Sequence, residues 1–388
     1  MNGQDLGLPR RLALVVEPLP GEALMSWLNI MAAEHGGLTR LRTAQITGLL
    51  TGDERLHPQG KDSAPYYPHT AKIARMQAAT ALTEHQVTDM FWHRYRGTAL
   101  HPFGPHWVEE TTRFTLTEWW VDPTALRLCP RCVDESGGRW LLAWQLPWVF
   151  ACLTHRCYLV GACPVCGRAF NAYYANPVHG APHRRPPVNG VRQGPCDVLL
   201  WELPAVPVED DELFALQQQL WDALHAPAEM RPEPFGLFQD LWAMASLALF
   251  AAHLDSLDGA DSVVREAFAD YCRTHEGAAG RRFTTGELRA LPVLVHAAMV
   301  RTAARIVFAE DPLPAADAVA GLSRDPHSTA IVALRRAWTR RPLRGAIRHT
   351  TARVRTVMDA ANYSGPGFAP SLQRRSPAAT FTTDLDER

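Results

Sequence analysis

The chain has 388 residues, enough for two or three domains, and a formal net charge of −1 at pH 7. Such a balance excludes a global electrostatic attraction to nucleic acid, so any contact of that kind has to come from local patches. The longest uncharged apolar run, 241–252, is about half the length that a membrane-spanning helix needs. Because no signal sequence opens the chain either, a reduced cytoplasmic protein is expected, without a membrane partner.

The first 110 residues are predicted to form a helical N-terminal region. Its lead-in, 12–16, is apolar enough for an edge strand or a packed arm. The PLPGE segment at 18–22 then opens a helix whose apolar residues recur at i, i+3, i+4 and i+7, namely Leu24, Trp27, Leu28 and Met31. Gly36 and Gly37 are expected to end this helix, and a second helix is predicted over 40–50.

Two further helices, over 69–80 and 83–95, are joined by a turn so short that the pair resembles a helix-turn-helix. Thr83 opens the second helix with the pattern of a capping box. In a DNA-binding protein this second helix enters the major groove, but an αα-hairpin that only packs or binds protein fits the same pattern. Two exposed carboxylates, Glu84 and Asp89, weaken the DNA-reading interpretation.

Six of the eight cysteines lie within a short central stretch, in which two C-x-x-C pairs flank a C-x-x-H pair. Two ligands at this spacing can both reach, from one tight turn, an ion about 2.3 Å away. The first predicted Zn²⁺ site consists of Cys129, Cys132, Cys152 and His155. Disulfides, scattered buried thiols or a redox pair are the alternatives. Disulfides need an oxidising compartment, however, and a thioredoxin-like motif has a single C-x-x-C within a βαβ unit.

A second zinc site is predicted to begin with the last C-x-x-C pair, Cys163 and Cys166. It needs two more ligands, and the downstream candidates are Cys196, His179 and His183. We expect Cys196 and one histidine, His183, while Cys157 is nearer in the chain but equally well a spare thiol. A tetrahedral site with four protein ligands has no open position for water, so both sites are predicted to be structural.

The predicted zinc-binding module spans 111–207. The Thr-rich and aromatic segment 101–121 is predicted to add short strands beside it, and 171–207 is predicted to be a Pro-rich loop. Three tryptophans are spaced at i, i+4 and i+8, which predicts one helical face packed against the module: Trp140, Trp144 and Trp148.

Residues 208–361 are predicted to form a C-terminal bundle of some five helices. One helix carries an apolar face of Leu213, Leu216, Leu220 and Leu224, and others are expected over 241–254, 263–272 and 291–308. The Ser-, Pro- and Gly-rich tail, 362–388, is predicted to be disordered. The fold class is therefore mainly α, with a helix-turn-helix-like region, a central zinc module with short strands and a helical bundle.

The most basic stretch of the chain is 335–355, which has eight arginines and no acidic residue. Unopposed arginines on a helix make a face suited to phosphate contacts. The predicted nucleic-acid-binding residues are Arg340, Arg341, Arg344 and Arg348. A solvated helix, or one that pairs with acidic residues elsewhere, is the alternative.

The motifs of the common catalytic sites are missing from the sequence. There is no phosphate-binding GxxxxGK[ST] loop, no HExxH and no GxSxG, and the HxE of zinc deaminases is absent as well. The pattern predicts a binding module and not an enzyme. An enzyme with a catalytic zinc stays a third hypothesis.

Several motifs in order resemble the TniQ family, the TnsD-related target-selection proteins of bacterial heteromeric transposons. They are PLPGEALMSWL from Pro18, LCPRC, the RW and WQL run from Arg139, CLTH, and YLVGACPVCG. The family departs from this sequence in two places. It usually has a small residue, often glycine, where Arg156 and Cys157 follow the histidine, and it commonly closes the second centre with a late cysteine pair, of which only Cys196 is present.

The resemblance implies a non-catalytic adaptor that selects the target site in DNA transposition. Its partners would be a target DNA or a CRISPR effector complex, and an AAA+ ATPase of the TnsC or TniB type that recruits the DDE transposase. A homodimer is one assembly that the resemblance leaves open. The alternative is a zinc-dependent helix-turn-helix transcription regulator that reads DNA through the 69–95 hairpin.

Overall fold

The structure is a computed structural model. It describes residues 8–52, 54, 56, 68–100, 122, 124–173, 196, 198–230, 232–251, 257–274, 291–311, 354, 356 and 357. Within these residues the helices are α1 Leu24–Glu34, α2 Arg40–Ile46, α3 Thr70–Thr80, α4 Glu84–Asp89, α5 Pro130–Glu135, α6 Asp211–Leu224, α7 Pro232–Ala251, α8 Ser262–Thr274 and α9 Val293–Val307. Two short strands, β1 Ala151–Cys152 and β2 Cys157–Tyr158, form the only sheet in the described part of the chain. The prediction of a mainly helical fold is confirmed.

The first helix, α1, follows the predicted pattern. Its four periodic apolar side chains are all buried, and Gly36 and Gly37 adopt positive φ angles just beyond its end, where their amides donate to the carbonyls of the last turn. The lead-in is a packed arm, in which the indole of Trp27 donates to the carbonyl of Val16 and the amide of Leu12 donates to the carbonyl of Ala79.

The predicted helices 40–50 and 83–95 are both shorter than expected. α2 ends at Ile46 because the chain turns at Gly48, whose φ is 76° and where a Cβ would lie 2.7 Å from the backbone of Arg75. Thr83 makes the predicted capping box, but α4 has only six residues. The chain is extended at Phe91 and continues as a 3₁₀ turn, Trp92–Tyr95, which places the aromatic side chains in the core.

The predicted helical face of tryptophans is wrong. Trp140, Trp144 and Trp148 are buried, but their segment is extended except for a 3₁₀ turn, Leu142–Gln145. The backbone hydrogen bonds here leave the segment, since the carbonyl of Trp140 accepts from Ala23 and the amide of Leu142 donates to Gly21. A backbone that pairs with a distant segment cannot also make helical i to i−4 bonds.

The C-terminal helices α6 to α8 pack around α9, which is buried along its length except at Leu294 and Arg305. The four predicted leucines of α6 are buried, α7 is longer than predicted, and Pro292 lies just before α9. Trp148 contacts the ring of Phe238 at 5.5 Å and that of Trp242 at 5.8 Å, which joins the central module to α7. The buried side chains that the structure describes form one connected core across all three predicted regions.

Several sequence predictions lie outside the described residues, among them the strands of 101–121, most of the Pro-rich loop of 171–207 and the disordered tail 362–388. The predicted domain boundaries stay predictions. Among the helices that the structure describes, none combines the length and the apolar character that crossing a membrane requires.

Candidate metal centre

A β-hairpin and a short helix carry the first predicted ligand set. β1 and β2 pair antiparallel with Cys152 opposite Cys157, and the turn between them holds His155. Cys129 is the residue before α5, whose first position is occupied by a proline, as is common at helix starts. Cys132 follows one helical turn later, so the helix start and the hairpin turn present their ligand atoms to the same point.

The four ligand atoms lie at the corners of a tetrahedron. All of them fall within 4.8 Å of one another. The Sγ atoms of Cys132 and Cys152 are 3.6 Å apart, and His155 Nδ1 lies 3.5 Å, 3.2 Å and 3.7 Å from the sulfurs of Cys129, Cys132 and Cys152. A tetrahedral zinc ion with Zn–S distances of about 2.3 Å has S–S edges of about 3.8 Å and S–N edges of about 3.6 Å. The four measured edges lie within about 0.4 Å of these values, so the group has the size that the ion requires.

The carboxylate of Glu135 orients the ring of His155 through the nitrogen that is not one of the four candidate ligand atoms. Nε2 of His155 lies 2.8 Å from Oε1 of Glu135, the last residue of α5. This contact favours the tautomer that is protonated at Nε2 and leaves Nδ1 free to bind a metal. Sequence reasoning missed this role, because a glutamate three residues after Cys132 also fits an ordinary helix surface.

The thiols of the first group influence one another strongly. Hydrogen bonds from Cys132, Cys152 and Cys157 hold the pKa of the Cys129 thiol far below its ordinary value. Cys129 in turn raises the pKa of Cys132 and of Cys157.

Three cysteines form a second group. Cys163, Cys166 and Cys196 have their sulfurs within 4.8 Å of one another, and the distance from Cys163 to Cys196 is 3.7 Å. Gly167, with a φ of 68°, closes the turn by donating to the carbonyl of Cys163 at 2.8 Å. The predicted fourth ligand, His183, and its alternative, His179, lie outside the described residues.

Cys157 does not join this second group. Its side chain is buried, and its Sγ lies 3.6 Å from Sγ of Cys129 in the first group. The sequence left open whether Cys157 belongs to the second site or is a spare thiol. Its place follows from the hairpin register, which sets it opposite Cys152 and which spacing alone does not reveal.

A buried polar network joins the N-terminal helices to this module. Glu22 accepts from Ser26 Oγ at 2.7 Å and from the amide of Leu19 at 2.9 Å, and its carboxylate lies 3.4 Å from Arg139 Nη1. Ser26 Oγ also accepts from the amide of Trp140 at 3.0 Å. Sequence reasoning assigned these motif residues no contact with one another, since Glu22 and Arg139 are far apart in the chain.

Burial raises the pKa of the Glu22 carboxyl and is the largest effect on it. The hydrogen bonds from Ser26 and Leu19 and the charge of Arg139 lower this pKa. A raised carboxyl pKa in the folded state means that this group contributes most to stability below its unfolded-state pKa, and that the contribution falls as the pH rises through the folded-state value. We therefore expect the stability of Glu22→Gln relative to the wild type to increase from pH 4.5 to pH 7.5. Urea unfolding of both proteins at each pH measures the difference in their free energies of unfolding. Both proteins have the same thiols, so the effects of pH on the thiols cancel in this difference. A difference that moves the other way would contradict this account.

Arg156 occupies a position where the backbone favours glycine. Its φ is 45°, in the left-handed region, which explains why the resemblance leads one to expect a small residue after the histidine. The Arg156 side chain donates to the carbonyl of Val208 at 3.0 Å, pairs with Asp211 and lies 4.7 Å over the ring of Phe214. These contacts hold the hairpin turn against the start of α6.

The predicted nucleic-acid-binding residues Arg340, Arg341, Arg344 and Arg348 lie outside the described residues. Their role stays a prediction.

Comparison with known proteins gives one match. Residues 13–159 match the TniQ family model, a span that contains the Glu22 network and the whole first Cys/His group. The second cysteine group and helices α6 to α9 follow this span. No curated protein and no solved structure matches the chain. The segment 13–159, which carries both the buried network and the first Cys/His group, is thus similar to the TniQ family.

Proposed function

We propose that this protein is a non-catalytic adaptor that selects target sites for DNA transposition. The TniQ domain associates the chain with transposition. The adaptor would bind a target DNA or a targeting complex with one surface and an AAA+ ATPase of the TnsC or TniB type with another, and the ATPase would then engage the DDE transposase. The observation that carries the proposal is the match at 13–159.

In this proposal the first Cys/His group holds a structural Zn²⁺ ion. Its support is the tetrahedral set of three sulfurs and one nitrogen, whose edges match those of a zinc site. Binding would convert the remaining thiols to thiolates and release their protons, so affinity would rise with pH. A second ion would bind Cys163, Cys166 and Cys196 with a fourth ligand, for which His183 is our choice.

The same geometry supports a role without catalysis. Four protein ligands complete the tetrahedron of the first centre and leave no position for a substrate or an activated water. What the centre supplies is rigidity, because it fixes the relative positions of α5 and the hairpin in a segment with little regular secondary structure. The surfaces around it would then be free to bind other macromolecules.

A transcription regulator that reads DNA through α3 and α4 is the less favoured alternative. α4 has only six residues and begins with the exposed Glu84. Its other carboxylate, Asp89, is paired with Arg94 at 2.7 Å. A helix this short, with a carboxylate at its exposed end, offers little to a major groove and would repel phosphates.

Footprinting with and without the ATPase separates the two functions. The adaptor is expected to bind DNA only weakly by itself. Once the ATPase of a neighbouring reading frame is added, it should protect the DNA stably or be retained by the ATPase in a pull-down. A variant with Arg340, Arg341, Arg344 and Arg348 all changed to Ala should weaken DNA binding and flatten its salt dependence. Protection of one specific operator by the protein alone, with no retention by the ATPase, would favour the regulator.

A further inference from the structure

The first Cys/His group has a fifth sulfur beside it. Sγ of Cys157 lies 3.6 Å from Sγ of Cys129, and both side chains are fully buried. Cys157 falls outside the set of four atoms that are mutually within 4.8 Å. It therefore touches one corner of the tetrahedron from outside and does not complete or replace a corner.

The hairpin fixes this position. Cys157 is the first residue of β2 and pairs with Cys152 across the strands, while the amide of Val208 donates to the carbonyl of the preceding residue, Arg156. The bridge between Cys157 and Pro207 adds a second backbone constraint on the other side. The backbone of Cys157 is thus held on both sides, which fixes the position of its thiol next to Cys129. Residues that orient a metal ligand are held in place in the same way.

A coordinated thiolate keeps lone pairs that accept hydrogen bonds. Donors to these lone pairs draw charge from the sulfur and stabilise the bound form against protonation and ligand loss. The amide of His155 supplies such a donor to Cys152, at 3.4 Å. For Cys129, the backbone amide of Cys132 is one such donor, and the thiol of Cys157 lies beside it as a second.

We infer that Cys157 is a positioning residue, which donates an S–H···S hydrogen bond to the metal-bound thiolate of Cys129. The inference rests on the proposed zinc centre and goes beyond it. It assigns part of the affinity for Zn²⁺ to a buried cysteine that is not one of the four ligands. Removal of such outer-shell partners lowers metal affinity by about 10- to 100-fold. We expect about tenfold here, because a thiol is a weak donor.

The test uses the full chain and two substitutions. Cys157→Ala removes the donor, and Cys157→Ser keeps a hydroxyl donor of similar size. Zn²⁺ dissociation constants are measured by competition with a chelator, and the absorption of the Co²⁺-substituted protein reports the ligand set. Cys272→Ala, on α8 and away from both groups, is the matched control. Circular dichroism confirms that each variant is folded.

We expect Cys157→Ala to weaken Zn²⁺ binding about tenfold, Cys157→Ser to stay within about threefold of the wild type, and the tetrahedral Co²⁺ spectrum to persist in both. Equal losses in both variants, or none in Cys157→Ala, would overturn the inference. So would a four-thiolate Co²⁺ spectrum in His155→Ala that disappears when Cys157 is also removed, since Cys157 would then be a substitute ligand. If the wild type itself binds neither metal, the proposed centre fails.

Discussion

Cys152→Ser is expected to lower the zinc content by one ion per chain and to cause the largest loss of stability of any single change proposed here. Cys152 supplies one of the four corners of the first tetrahedron and is fixed by β1. Structural zinc sites contribute about 10 kcal/mol or more of binding free energy, which is also folding free energy. The hairpin itself supplies little regular structure, since its two strands have two residues each, although its side chains belong to the core and Arg156 holds its turn against α6.

Elemental analysis of the purified protein and thermal unfolding by circular dichroism measure this effect. Cys272→Ser is the control, since Cys272 is half-buried on α8 and belongs to neither cysteine group. The control should keep the zinc content and the unfolding midpoint of the wild type. If Cys152→Ser retained its full metal content and midpoint, the first group would not be a metal centre.

Arg301→Ala is expected to destabilise the C-terminal helices by about 3–5 kcal/mol, as breaking a buried ion pair from one side does. The Nε atom of Arg301, on α9, lies 2.7 Å from Oδ2 of Asp210, and the two side chains are only 5% and 3% exposed. Arg301 also contacts Glu212 at 3.0 Å and the carbonyl of Asp258 at 3.2 Å. Without the guanidinium, Asp210 would remain buried with a charge that only the amide of Leu213 still stabilises.

Urea unfolding compares this variant with two others. Arg273→Ala removes an ion pair to Asp270 on the exposed face of α8, where both side chains are more than 65% exposed, and should leave the midpoint nearly unchanged. Arg301→Met combined with Asp210→Asn removes both charges and keeps a residue that caps α6, so it should recover much of the loss. If Arg301→Ala unfolded at the same urea concentration as Arg273→Ala, the buried pair would not stabilise the bundle.

The grouping of Cys129, Cys132, Cys152 and His155 could be predicted from the sequence because chelating pairs depend on local spacing. Two ligands three positions apart reach one point from a single turn, whether the rest of the fold is known or not. The helices α1, α6 and α9 were predictable for a similar reason, since their apolar periodicity is also local. By contrast, the place of Cys157 depends on which residue faces it across the hairpin, and no spacing rule contains that register.

The tryptophan segment shows why the rest could not be predicted. Its spacing fits a helical face, yet the backbone at 140–142 pairs with 21–23 instead. Likewise the short α4 results from the burial of Phe91 and Trp92 in a core that residues from all three predicted regions build. A pattern within one segment does not reveal a partner more than a hundred residues away.

That same pairing has a consequence for how the protein is made. A nascent chain presents α1 to the solvent long before residues 140–142 leave the ribosome, a delay of on the order of ten seconds at ordinary rates of synthesis. The start of this helix and the residues just before it, 21–26, lack their backbone and hydroxyl partners throughout that interval. Slower translation lengthens this interval, so production of this protein in a foreign host should depend on holding chaperones as much as on the supply of zinc.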